Sequence, residues 1–147
     1  MTTPVQTVAK FIVQHSREPV SNLKLQKLLY YVQGWSLGIY KKPIFEEEIQ
    51  AWVHGPVVPD VFNQYRQFRW TPIEIPRQTL AIDDHTKNHI KSVLDVYGKW
   101  TASQLEALSH KESPWLVARG SLSPDTPSRA VITHASMKEF FSGQVHG

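Results

Sequence analysis

The stretch from Ser21 to Tyr40, SNLKLQKLLYYVQGWSLGIY, constrains this chain more than any other part of it. Leu25, Leu28, Leu29, Val32, Trp35 and Ile39 recur at helical spacing and form one apolar stripe. The opposite face is the unusual one, because Lys27, Tyr30 and Tyr31 share it with Gly34 and Gly38. A glycine inside a helix costs about 1 kcal/mol relative to alanine. Two of them on one face predict that another backbone packs close there. A helix buried on more than one side must sit at the centre of its fold. The expected class is therefore mainly α, a single compact helical domain spanning residues 1–147 with a small antiparallel β element.

The flanking segments fit that frame. Thr3-Pro4-Val5-Gln6 reads as a capping box, with Val5, Val8, Ala9 and Ile12 on one face of the helix it starts. Ser21 or Asn22 caps the spine, and Lys41-Lys42-Pro43 ends it. Ile49 to Val53 alternates like a strand, Gly55-Pro56 signals a turn, and Pro59 can open a helix that buries Val58, Val61, Phe62, Tyr65 and Phe68. Thr71 to Ile75, between Pro72 and Pro76, can be an edge strand and could pair with Ile49–Val53. Asp83 caps a helix carrying Ile90, Val93, Leu94 and Tyr97, which ends near Gly98. Thr101 to Gln104 is a second capping box, Ser113-Pro114 caps PWLVAR, and Gly120 stops it. Gly120 to Arg129 reads as loop, Val131-Ile132 is too short to assign, and a last helix carries Met137, Phe140 and Phe141 before fraying.

Composition excludes several classes. No cysteine is present, so there is no disulfide framework and no thiolate chemistry, which fits a cytoplasmic chain. No run approaches the roughly 20 apolar residues of a membrane helix, and MTTPVQTVAKF is no signal peptide. The net charge of +3 is spread over Lys24, Lys27, Lys41, Lys42, Arg66, Arg69, Lys87 and Lys91, whereas a nucleic-acid binder concentrates its cations in a stripe.

The seven histidines suggest metal or acid–base chemistry, yet no constellation forms. His85 and His89 lie one helical turn apart, but Thr86, Lys87 and Asn88 stand where a zinc protease motif needs its glutamate. His54 precedes a turn and His110 a helix cap, and neither has a nucleophile to activate. Glu46-Glu47-Glu48 reads as a solvated turn or a contact for a basic partner. The scattered glycines make no phosphate loop. The reading is no enzyme, no metal and no cofactor.

Four segments carry a resemblance: KLQKLLYYVQGW at 24–35, PIFEEEIQAWVHGPVVPDVF at 43–62, LSHKESPW at 108–115 and the closing helix around 137–141. In that order they resemble the Panacea domain of bacterial and phage antitoxins, also called SocA-like or GepA-like, over nearly the whole chain. The resemblance implies a mostly helical antitoxin that neutralises a protein toxin encoded nearby by direct contact. One branch resembles a proteolytic adaptor that delivers its toxin to an unfoldase–protease. It also implies a scaffold signature here: Lys27, Tyr30, Tyr31, Trp52, Gly55, Pro56, His110, Pro114 and Trp115. No DNA-binding extension precedes Thr3-Pro4, which argues against autoregulation. A nucleic-acid-binding phage accessory protein is the remaining alternative.

Interface hot spots favour aromatics and arginine. Outside the shared motifs these are Tyr40, Lys41 and Lys42 after the spine, and Tyr65, Arg66, Arg69 and Trp70 after the third helix. Trp70 is the sharpest candidate, because Thr71-Pro72 is a place where a chain surfaces. The competing reading has Trp70 capping the core beneath that loop.

Overall fold

Ser21 opens the central helix by accepting a hydrogen bond from the Lys24 N–H at 3.2 Å. The computed structural model describes residues 2–146. Its elements are α1 (Val5–His15), α2 (Asn22–Tyr40), β1 (Ile49–Trp52), β2 (Gly55–Val57), α3 (Pro59–Gln64), a 3-10 turn (Arg66–Phe68), α4 (Asp84–Tyr97), α5 (Ala102–Ser109), α6 (Ser113–Arg119), β3 (Val131–Ile132) and α7 (His134–His146). Helix α2 touches α1, α3, α4, α5, α7 and β2, so it is the spine in fact. Leu25, Leu28, Leu29 and Val32 on one face and Tyr30 and Tyr31 on the other are all fully buried. The stripe ends early, because Ile39 emerges into solvent.

Helix α7 lies across the glycine face. A Cβ on Gly34 would overlap the Phe141 ring, and one on Gly38 would stand 2.8 Å from the Phe141 carbonyl carbon. Close backbone approach therefore occurs at Gly38, and a ring fills the notch at Gly34.

Buried amides on α2 tie down the loops it meets. Gln33 accepts from the Ile44 and Phe45 N–H groups at 2.8 and 3.2 Å and donates to the Phe45 carbonyl at 2.7 Å. Gln26 accepts from the Val58 N–H at 2.9 Å and donates to Asn22, which donates to the Phe62 carbonyl. Each such bond supplies a partner to a loop backbone group that has left water.

The sheet is antiparallel in the order β2-β1-β3. Its third strand is Val131–Ile132 and not Thr71–Ile75. The latter segment makes no ladder; the Ile73 N–H instead donates to the Val20 carbonyl at 2.9 Å. Pro72 and Pro76 remove the donors a ladder would need. The hairpin turn also falls one step before the expected place, at Val53-His54, and Gly55-Pro56 begins β2. Gly55 is required there by its φ of 106°.

Two caps differ from the expected ones. Pro4, not Thr3, precedes α1, and the Glu47 carboxylate accepts from the Val5 N–H at 3.2 Å. The middle of the acidic run thus serves the first helix. Glu112, not Ser113, precedes α6, and its side chain does not cap. The Asp83 cap and the Thr101–Gln104 capping box form as expected.

Candidate functional site

The residues of the expected signature converge on the inner face of the spine. Lys27 is 1% exposed, its ammonium makes a long 3.4 Å bond to the Pro56 carbonyl, and its stem fills the space a side chain at position 55 would need. Burial pulls its pKa down to about 8 despite the opposing field of Glu106. One turn further on, the Tyr30 and Tyr31 hydroxyls both donate to the same oxygen of Glu112 at 3.0 Å. Burial first, and the Glu112 carboxylate second, drive both phenols far above their ordinary range. Burial likewise lifts Glu112 to about 7, against the two phenol hydrogen bonds.

A second group locks the hairpin to α6. The Trp115 indole donates to the Trp52 carbonyl at 2.8 Å, and Arg119 donates to the Ala51 carbonyl at 3.1 Å while lying 4.9 Å over the Trp115 ring. His110 also stacks on that ring at 4.1 Å, its pKa lowered chiefly by burial. Pro114 is buried at the start of α6. These contacts hold three motifs together. The tyrosines stay protonated at any physiological pH.

The remaining histidines separate. His54 is exposed at the hairpin turn, 3.4 Å from Glu106. His89 is buried and donates to the Val32 carbonyl at 2.9 Å, whereas His85 meets the edge of Tyr40. Among the described residues no group of three or more His, Asp or Glu side chains is placed to hold a metal.

The surface candidates divide between the two ends of the spine, which at 1.5 Å per residue is about 28 Å long. Tyr40, Lys41 and Lys42 lie at its C-terminal end, where Lys41 donates to the Gly38 carbonyl and to Ser142. Arg66, Arg69 and Trp70 lie beyond its N-terminal end, since Phe62 is tied to Asn22 and Ile73 to Val20. The two sets do not form one site. Tyr65 is 3% exposed and belongs to the core, in line with the buried face expected for α3.

Trp70 is 77% exposed, so it does not cap the core. It occupies a defined turn: the Thr71 N–H donates to the Phe68 carbonyl at 2.9 Å, and Arg69 has φ 55° and ψ −119°. Those are the angles of the first corner of a type II′ turn, a position that favours glycine. The same turn recurs at Arg119–Leu122, where Gly120 holds the corner with φ 60° and ψ −127°.

Sequence reasoning missed Glu112, Arg119, Gln26 and Gln33. Glu112 had a signal: a buried tyrosine hydroxyl needs an acceptor, and HKESPW carries the acid. The family profile described as Antitoxin SocA-like, Panacea domain, matches residues 25–116. A curated relative, Antitoxin SocA of Caulobacter vibrioides (strain NA1000 / CB15N), is 35% identical over 69% of this chain and 62% of its own length. The chain thus matches a little under two thirds of that relative. No solved structure matches it.

Proposed function

The chain belongs to the SocA-like, Panacea-domain family of antitoxins, and on that premise we propose that it neutralises a protein toxin by direct contact, without catalysis of its own. The exposure of Trp70 on a turn that the fold does not otherwise use is the observation that carries this reading. Trp52 is only half-buried, but most signature side chains are occupied with one another inside the molecule, which leaves contact to the surface. Arg66, Arg69 and Trp70 offer two cations and an indole on one short segment, a composition suited to an interface core. Tyr40, Lys41 and Lys42 would serve a second contact at the other end of the spine.

The test is co-expression with the small protein encoded beside this gene. A culture poisoned by that protein should grow when this chain is supplied, and the purified pair should elute as one complex. Rescue without a complex would overturn direct contact. Loss of the toxin only when an unfoldase–protease is present would make the chain an adaptor instead.

A further inference from the structure

A groove opens beside the hairpin, on the flank of α3 that leads to the Arg69–Trp70 turn. Leu23 of α2, Trp52 of β1, Val57 of β2 and Phe62 of α3 form it, with Pro127 and Arg129 on the facing loop. Its volume is about 390 Å³, within the range of clefts that take ligands. Two features set it apart from an incidental dent. Trp52 is fixed from both sides: its indole donates to Gln50 at 2.8 Å, its carbonyl accepts from Trp115, and the Phe62 ring meets it edge-on at 5.2 Å. The wall is thus rigid before anything binds, which limits the ordering cost of association. The rim, moreover, carries a cation and no carboxylate. Arg129 stands at the opening, and His54, also on the rim, meets Glu106 at 3.4 Å.

We propose that this groove receives an apolar side chain of the toxin, presented beside a carboxylate that faces Arg129. The proposal rests on direct toxin contact as read above and adds the chemistry of the partner. An apolar anchor fits a floor of Leu23, Trp52 and Phe62, and a neighbouring acid fits a rim whose charged group is Arg129. A basic toxin segment would meet Arg129 unfavourably, which gives the site selectivity as well as affinity.

The experiment labels the full chain with 5-fluorotryptophan and titrates it with the purified neighbouring gene product. The Trp52 and Trp70 fluorine resonances are assigned from Trp52→Phe and Trp70→Phe. A shift at Trp52 is expected, with at least a tenfold loss of affinity in Arg129→Glu and in Leu23→Lys, and with weaker binding as salt rises. Both positions are exposed enough for the variants to fold, and their melting temperatures check this. Binding with Trp52 unmoved overturns the groove while leaving direct contact standing. No binding at all overturns both. A Trp52 shift produced by raising the concentration of the free chain identifies a second copy as the occupant and also overturns the proposal.

Discussion

The crossing of α2 with α7 and the turn at Arg69–Trp70 treat glycine in opposite ways. In the middle of a helix, where glycine is disfavoured, the chain places Gly34 and Gly38. At the corner of a type II′ turn, where glycine is preferred, it places an arginine. Both choices work against local backbone preference. At the crossing the reason is visible within the fold, because Phe141 occupies the space the missing side chains leave. At the turn nothing inside the fold accounts for it: Arg69 is exposed and Trp70 points into solvent. Backbone strain without an internal use is a feature of binding segments. On the proposed reading, the difference separates what this chain needs to fold from what it would offer to a partner.

The crossing gives the largest expected effect. Gly34→Val and Gly38→Val should each destabilise by about 3 kcal/mol or more, because a ring and a backbone cannot both retreat. For a chain of this size that lowers Tm by roughly 6–12 °C. Unchanged melting in either variant would remove the crossing from the comparison.

The polar interior beside the crossing sharpens it through pH. Folded Glu112 keeps its proton up to about pH 7, against an ordinary value of 4.5. Between those values folded Glu112 holds more proton than its unfolded counterpart, so its own contribution to stability falls as pH rises, by roughly 3 kcal/mol. In Glu112→Gln that fall should vanish, as read from urea unfolding at pH 4.5 and 7.5. An identical pH slope in parent and variant would show that Glu112 is not held protonated.

At the turn the sign reverses. Arg69→Gly should stabilise by about 1 kcal/mol, since the corner strain is relieved, while toxin affinity drops. A destabilised Arg69→Gly would mean the arginine has a structural role after all. The smallest expected change in stability is that of Trp70→Ala, within about 0.5 kcal/mol of the parent. The same variant should weaken toxin binding at least tenfold in calorimetric titration. Full rescue of poisoned cells by folded Trp70→Ala would detach the turn from function.

Legibility followed the range of the physics. The spine was plain in the sequence because helical periodicity and the cost of Gly34 and Gly38 are local facts. That Phe141 fills the notch was not, since nothing near residue 34 names a partner so far along the chain. Val131–Ile132 is two residues long and carries no period, so the third strand emerged only from its pairing with Ile49 and Gln50. Prolines misdirected the expectation toward Thr71–Ile75 as an edge, although the same residues deny that segment a ladder. The positive φ of Arg69 was invisible because the residue there defies the propensity from which turns are read. At the candidate surface, the aromatic and basic residues could be named but not sorted. Helical spacing put Tyr65 on the buried face of α3 while its ring also put it among the surface candidates, and only the fold decides for the core; Trp70, beyond that helix, had no such spacing to place it.

Synthesis on the ribosome imposes an order that the finished fold conceals. Gly38 and Phe141 stand about a hundred positions apart, and a growing chain lengthens by about 5–20 residues per second. For roughly 5–20 s the helix that organises the domain is therefore available while the helix that covers it has yet to be made. Throughout that interval its notched flank, with two tyrosines whose acceptor on Glu112 arrives only shortly before α7, remains in contact with water. The central element of this protein is thus synthesised well before the helix that closes it.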